Sequence, residues 1–492
     1  MTTTTSFPFD NTYAAQMKDF CVPAKAAVFP SPSLMALNAP LAEELGLDSG
    51  QLQEEAHLIF SGQLLPEGAE PIAQAYAGHQ FGGFAAQLGD GRAMMLGELI
   101  DKNGVRRDIQ LKGSGPTPFS RGGDGKASVG PVLREYLVSA SLHALGIPTT
   151  RMLAAVSTGQ DVYRERPLPG AVVTRVAASH LRVGTFEFFA ARRDQVRTKA
   201  LADYAIQRHY PHLLDSAQPY LGLLSAVSKA QAELIAGWMC IGFIHGVMNT
   251  DNFTIAGETI DFGPCAFMDT FQRGAVFSSI DFHGRYAYGN QPRIGQWNLA
   301  RFAEVLLPFI DEDIDKAVEA AQEVLSAFVT HYRASWTEGM RAKLGLTEAH
   351  ASDFEFASGL IELFEAHQVD YTSTMRSLSS VARAADGLSH PLLATDNDFR
   401  TWGEQWLHRL DQQPGGRAAA ADRMDRINPV YIPRNHKVEE ALSAAVETQD
   451  LALFERLFEL VTHPFENREG CESYAGAASS EFTSCYKTFC GT

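Results

Sequence analysis

The stretch His245-Gly246-Val247-Met248-Asn249-Thr250-Asp251-Asn252, followed by Ile260-Asp261-Phe262-Gly263, constrains this chain more than any other. One class of phosphoryl-transfer site places a base Asp five residues before a metal-binding Asn. A second metal-binding Asp then opens a DFG triplet. Asn252 and Asp261 fit the two metal positions, while the residue five before Asn252 is Val247. A valine accepts no proton. The chain keeps the groups for holding Mg²⁺-ATP and lacks the usual residue for phosphorylating a hydroxyl. Asp251, beside Asn252, is the candidate base; in an unrelated protein such a residue would be a turn or helix-cap aspartate. His245 is read as a residue that packs and hydrogen-bonds rather than reacts.

Two further residues extend the pattern. Lys112 ends the strand-like text Arg107-Asp108-Ile109-Gln110-Leu111-Lys112, and Glu135 sits on the helix expected to follow. Protein kinases use a strand Lys that contacts phosphates and a helix Glu that orients it. Either residue alone would be a surface charge; the order strand Lys, helix Glu, Asp-Asn loop, DFG favours a functional pair. Gly89-Asp90-Gly91-Arg92 is a tight turn followed by a cation, which suits a phosphate-facing loop and equally a hairpin turn. Gly122-Gly123-Asp124-Gly125-Lys126-Ala127-Ser128 is not a P-loop: Ser120 stands five before Gly125, and Ala127 follows the Lys. It reads as a flexible nucleotide-contacting loop. Arg175 and Arg182, just after a strand, are suited to clamping an anionic group through bidentate hydrogen bonds.

Short strand-like pieces between Ala75 and Gly115, such as Ala93–Leu99, are separated by Gly and Asp turns and predict an antiparallel sheet. A helix is predicted from about Pro131 to Leu145, with Leu133, Leu137 and Ser141 on one face and Gly146 and Pro148 as its stop. Strands are expected at Arg151–Ser157 and Gly170–Val176, and mostly helix beyond Thr198. The plan is α+β: a kinase-like two-lobed fold with extensions at both ends. The expected divisions are an irregular N-terminal extension over 1–70 with a short helix near Ala39–Leu47, a sheet-bearing lobe over 71–195, a helical lobe over 196–435, and a C-terminal helix and tail over 436–492. Within these, 412–421 reads as a loop, His436–Leu460 as helix, and the text after Pro464 as irregular.

With 45 % hydrophobic and 20 % charged residues the composition is that of a globular protein, and 492 residues allow about two to four domains. The net charge of −17, from 41 basic and 58 acidic residues, argues against nucleic-acid or membrane partners. No secretory signal is read in Met1–Pro8. The apolar run Leu234–Met248 is interrupted by Gly237, Gly242 and His245 and falls short of the ~20 residues of a bilayer span; a buried core helix and a cytoplasmic protein are expected. The six cysteines, Cys21, Cys240, Cys265, Cys471, Cys485 and Cys490, make neither a disulfide framework nor a CxxC zinc site.

These motifs together resemble the selenoprotein O family of kinase-fold protein adenylyltransferases. The matching text includes Tyr76-Ala77-Gly78-His79-Gln80-Phe81-Gly82, Gln87–Arg92, Gln110–Gly115, Arg121–Gly125, Arg134-Glu135 and the two stretches named first. The resemblance implies transfer of AMP from ATP to Ser, Thr or Tyr of protein substrates with release of pyrophosphate, from an ATP bound in flipped orientation. It implies that Lys112, Arg175 and Arg182 hold phosphates, that Glu135 positions Lys112, and that Gly89, Gly91, Arg92, Asp124 and Gly125 complete the nucleotide site. Asn252 and Asp261 would bind Mg²⁺ or Mn²⁺, with Asp261 also contacting ATP, and Asp251 would accept the proton. It further implies redox control through Cys490; the segment Gly274–Ser279 lacks the cysteine some relatives carry there, so Cys265 and Cys485 stand as alternative partners. Two other readings stay open on the residues: a conventional phosphotransferase with Asp251 as base, and an ATP-binding scaffold without turnover.

Overall fold

A computed structural model describes residues 5–394 and 396–489; Cys490 lies outside them. The strand text folds as expected into an antiparallel sheet. Its eight strands run in the order Cys21–Pro23, Ile72–Gln74, Ala93–Ile100, Arg106–Lys112, Pro167–Ala177, Arg151–Tyr163, Ser33–Leu37, with Ala127–Ser128 also pairing on Pro167–Ala177. Two of these strands come from the N-terminal stretch expected to be irregular. Ser33–Leu37 pairs with Arg151–Tyr163, and Cys21–Pro23 with Ile72–Gln74. Both are short, and Pro and Ser around them hid the period-2 signal.

Side chains alternate across a sheet, and here the alternation separates core from site. Ile109 and Leu111 face a small core with Leu52, Ile59 and Phe60 from the helix Ser49–Ile59 and its C-cap. Gln110 and Lys112 therefore point to the opposite face. Arg175 pairs in register with Gln110, and Val173 with Lys112, so both cations project from the same side. Over that side lies the helix Val129–Ala144, held by buried Leu133, Leu137 and Leu142, and Glu135 on it turns toward the cations.

Beyond Thr198 the chain is helical, with Gln195–His209, Pro219–Cys240, Gln291–Ile310 and Ile314–Lys343 leading. The apolar run splits: the buried helix ends at Cys240, Gly242 turns the chain, and Phe243–Ile244 becomes a strand. That strand pairs antiparallel with Ala266–Phe267, and the ribbon draws Asn252 and Asp261 together. No helix of the described residues is long and apolar enough to cross a membrane. Three further expectations need correction. The helix over His436–Leu460 is two, Asn435–Glu447 and Ala452–Thr462, broken where Thr448, Gln449, Asp450 and Leu451 intervene with Gln449 at φ 58°. The stretch read as a loop over 412–421 runs into the helix Gly416–Asp425, because its alanines favour helix. The text after Pro464 contains two short helices, Glu472–Ala475 and Ser480–Cys485.

Candidate functional site

A cleft of about 690 Å³ opens between the sheet and the helical part. Gly89, Gly91, Arg92, Lys112, Asp124, Gly125, Arg175, Arg182, Asp251, Asn252 and Asp261 all line it. Glu135 stands behind them. Its Oε1 bonds the Lys112 ammonium, and its Oε2 lies 3.4 Å from Arg175 Nη2. Lys112 Nζ also lies 3.1 Å from Asp261 Oδ1. One carboxylate thus anchors two cations through a nearly buried network, leaving their outward faces to the cleft.

Asp261 sits at φ 69°, a strained backbone for a non-glycine residue, which turns its carboxylate back into the cleft. Burial alone would raise its pKa. Lys112, Arg92 and Arg175 outweigh that and hold it well below the usual carboxylate range. Asn252 Nδ2 donates to Asp261 Oδ2 at 3.3 Å and to the Val247 carbonyl at 3.2 Å. The supposed base position therefore supplies only a backbone acceptor. His245 is fully buried; its Nε2 meets the Ile260 carbonyl at 2.9 Å and its Nδ1 accepts from Val247 N–H. It ties the loop to the residue before Asp261, as expected of a structural histidine.

Asp251 is placed differently. Oδ2 accepts from Gln80 Nε2 at 3.2 Å, while Oδ1 is buried with no hydrogen-bond partner among the described residues. Burial raises its pKa to about 6, against the lowering effects of Gln80 and Arg182. Two glycines make this close fit. A Cβ on Gly78 would lie 2.5 Å from Asp251 Oδ1, and one on Gly184 would lie 2.2 Å from the Ala77 carbonyl and 3.3 Å from Asp251 Cα. Behind the loop, Glu187 accepts from Thr250 Oγ1 at 2.5 Å and pairs with His79 Nδ1 at 2.5 Å, and His79 N–H donates to Thr250 Oγ1 at 2.7 Å.

Arg182 donates to the carbonyls of His180 and Asp251 and lies 4.4 Å over the Tyr76 ring, with Nη2 buried and making no hydrogen bond among the described residues. Asp90, buried and taking bonds from Gln74 N–H and Gln110 Nε2, faces it at 3.9 Å. At the outer rim both Asp124 oxygens accept from Arg164, at 2.9 and 3.1 Å; that pair lowers the Asp124 pKa. Sequence reading missed Tyr76, Gln80, Asp90 and Arg164 as cleft residues. Tyr76 and Gln80 lay inside the quoted text Tyr76–Gly82, and Asp90 inside Gly89–Arg92, so a signal existed. Nothing in its local text marked Arg164. Arg192 lies over the Phe188 ring and bonds the Ala86 and Phe188 carbonyls.

The donor set is hard oxygen: one carboxylate held ionised and one carboxamide. Mg²⁺ or Mn²⁺ needs one or two such side chains when substrate oxygens and water supply the rest, so Asn252 and Asp261 fit. Among the described residues no cluster of three or more His, Cys, Asp or Glu side chains forms a self-sufficient metal site. Cations deep in the cleft beside two acidic positions suit a polyanion bound with a divalent ion.

Comparison with known proteins agrees with this chemistry. Residues 4–462 match the family model described as protein adenylyltransferase SelO. A protein nucleotidyltransferase YdiU of Cereibacter sphaeroides is 55 % identical over 488 residues, covering 99 % of this chain and 100 % of the relative. One from Rhizobium leguminosarum bv. trifolii is 55 % identical over 489 residues, covering 99 % and 98 %. One from Rhizobium etli is 54 % identical over 491 residues, with the same coverage.

Proposed function

This chain belongs to the protein adenylyltransferase SelO family and is a protein nucleotidyltransferase; from that premise we propose that it transfers AMP from ATP to Ser, Thr or Tyr hydroxyls of proteins. The observation that carries the reading is Asp251: a buried carboxylate with one oxygen unpartnered, in the same cleft as Asn252 and Asp261, where Val247 offers only its carbonyl. In this reading the acceptor oxygen attacks the α-phosphorus in line. The new O–P bond forms as the bridging α–β P–O bond breaks, pyrophosphate departs, and the acceptor proton passes to Asp251.

Lys112, Arg175 and Arg182 would neutralise the phosphates, with Lys112 and Arg175 already fixed by Glu135, so little reorganisation accompanies charge development. Their position deep in the cleft favours a triphosphate entering tail-first, which presents the α-phosphorus outward: the flipped orientation. Gly89, Gly91, Arg92, Asp124 and Gly125 would enclose the remainder of the nucleotide. Asn252 and Asp261 would hold Mg²⁺ or Mn²⁺, whose charge offsets that of the phosphates. The arrangement of a sheet with a Lys–Glu pair above an Asn/Asp loop supports a kinase-like two-lobed fold, with the divisions at 70, 195 and 435 as its working boundaries. We propose that the protein is cytoplasmic and, on the family resemblance, that Cys490 has a redox-control role.

The test is parallel incubation with α-labelled and γ-labelled ATP and Mg²⁺, reading label retained on protein. Label from the α position alone supports AMP transfer. Label from the γ position would overturn it in favour of phosphotransfer, and ATP-dependent thermal stabilisation without either label would favour a scaffold.

A further inference from the structure

The hairpin Gly78–Gln80/Gly83–Ala85 touches residues of both the nucleotide cleft and a second cavity. On one side Gln80 and Phe81 line the cleft, and Gln80 bonds Asp251. On the other side, the His79 ring meets the Trp297 indole at 5.3 Å and Phe84 at 4.8 Å. A Cβ on Gly82 would lie 3.5 Å from the Arg285 guanidinium carbon. Trp297, Arg285 and Arg293 line a cavity of about 400 Å³.

This cavity is cationic in a protein of net charge −17. Arg285 and Arg301 lie over the Trp297 ring at 4.7 and 5.0 Å. Arg301 is paired with Glu304 at 2.7 Å. Among the described residues neither Arg285 nor Arg293 has a carboxylate within ion-pair distance. A guanidinium stacked on an indole keeps its N–H edge available for a bidentate carboxylate. The turn Asp281–Gly284, which leads into Arg285, exposes Phe282, 87 % accessible, and Ile280 just before it lines the nucleotide cleft. An exposed aromatic next to unpaired arginines is the composition of a recognition surface.

We propose that this surface docks the acceptor polypeptide: an acidic side chain of the acceptor enters the Arg285–Arg293–Trp297 cavity, and an apolar one lies on Phe282 and Ile280. The occupant is a protein segment with carboxylates near its hydroxyl. Gln80 of the hairpin bonds Asp251 and the adjacent His79 packs on Trp297, so a segment held in the cavity lies one hairpin away from the proposed base. The overall negative charge repels such a segment elsewhere, so the cationic cavity fixes where it lands and gives the contact a salt dependence. The proposal rests on the acceptor being a protein.

The test uses two fluorescent peptides, one with an acceptor serine flanked by glutamates and one with the same serine flanked by lysines. Anisotropy titrations are run with the full chain, with Arg293→Glu and with Phe282→Ser, both at exposed positions outside the nucleotide site. Expected is binding of the glutamate peptide, weakened about tenfold by Arg293→Glu and by added salt, and several-fold by Phe282→Ser. Equal affinity of the three proteins for the glutamate peptide, or preference for the lysine peptide by the unsubstituted protein, overturns the proposal. α-Label incorporation into the same peptides separates this from the reaction itself. Arg293-dependent binding without AMP transfer sustains the docking site while counting against adenylylation. Transfer that is equal for both peptides and unaffected by Arg293→Glu sinks the docking site and leaves adenylylation standing.

Discussion

Asp251 and Asp261 are both buried carboxylates in one cleft, and their neighbours push them in opposite directions. Asp261 faces Lys112, Arg92 and Arg175 and stays ionised; Asp251 has Gln80 and the more distant Arg182, and burial prevails. Asp261→Ala should lower AMP transfer by at least ~10²-fold, because it would remove the proposed metal-binding oxygen together with the carboxylate paired with Lys112. Lys112 keeps Glu135 as partner, so unfolding should remain cooperative with Tm changed by only a few degrees; transfer within tenfold of the unsubstituted protein would refute the metal assignment. For Asp251 the sign runs the other way. Its folded pKa of about 6 exceeds the ordinary 3.8, so the native state binds the proton more tightly. Its unfavourable contribution is absent below pH 3.8, grows as pH rises toward 6, and is full above that. Asp251→Asn should therefore abolish transfer yet raise stability at pH 7 by up to about 3 kcal/mol, the gain vanishing near pH 4; denaturant titrations at the two pH values check it. With Asp251 as the proposed base, transfer by the unsubstituted protein should fall on the acid side of about pH 6 as Asp251 protonates. These two aspartates were legible in the sequence because loop chemistry fixes their spacing to Asn252. Arg164 was not: it reaches Asp124 across 40 positions, and a contact of that kind is set by strand pairing rather than by local text.

At the scale of elements, the strand and helix carrying Lys112 and Glu135 were readable from period and stop signals, and they fold within two residues of the expected bounds at every end. What sequence could not supply was their mutual placement. Gln110 and Arg175 become neighbours through register, and Glu135 reaches both cations only after the helix packs across the sheet. The same limit applied to the N-terminal strands, whose partners lie as far away as Arg151–Tyr163. The helix Val183–Ala190 shows how an element's end serves the site. Its first turn brings Gly184 against the Ala77 carbonyl and Asp251 Cα, and Glu187 one turn later holds Thr250 and His79. Gly184→Ala must therefore push either the hairpin or the Asp251 loop aside. A displacement of order 1 Å at a reacting group costs roughly 10²-fold in rate, so we expect kcat reduced ten- to a hundredfold with ATP-dependent thermal stabilisation retained. An unchanged kcat would show that the loop absorbs the methyl group without moving Asp251.

Across the whole molecule, the last described residues close onto the site from outside. Thr488 N–H donates to the Phe277 carbonyl at 2.8 Å, Ser279 N–H donates to the Thr488 carbonyl at 2.9 Å, and Thr488 Oγ1 donates to the Pro264 carbonyl at 2.7 Å. Tyr486 OH bonds Glu439 and accepts from Arg134 at 3.2 Å, and Arg134 precedes Glu135 in the chain. The C-terminal segment thus joins the helix that positions Lys112 to the segment that follows Asp261-Phe262-Gly263. The tail read as irregular from its Gly, Ser and Cys content owes its order to these long-range bonds, which composition does not encode. Cys265 is fully buried with its thiol pushed up to about 12 by burial, a poor nucleophile for disulfide exchange, while Cys485 is exposed. Two variants divide mechanical from chemical roles for this end of the chain. Removal of residues 480–492 should lower Tm by several degrees and cut AMP transfer about tenfold even under reductant, since Arg134 and the Phe277–Ser279 segment lose their partners. Cys490→Ser keeps those bonds and should match the unsubstituted protein under reductant, differing from it only in oxidant. If oxidant affects both proteins equally, Cys490 has no redox role and the tail acts through its hydrogen bonds alone; if truncation leaves rate and Tm unchanged, the site does not depend on the closure.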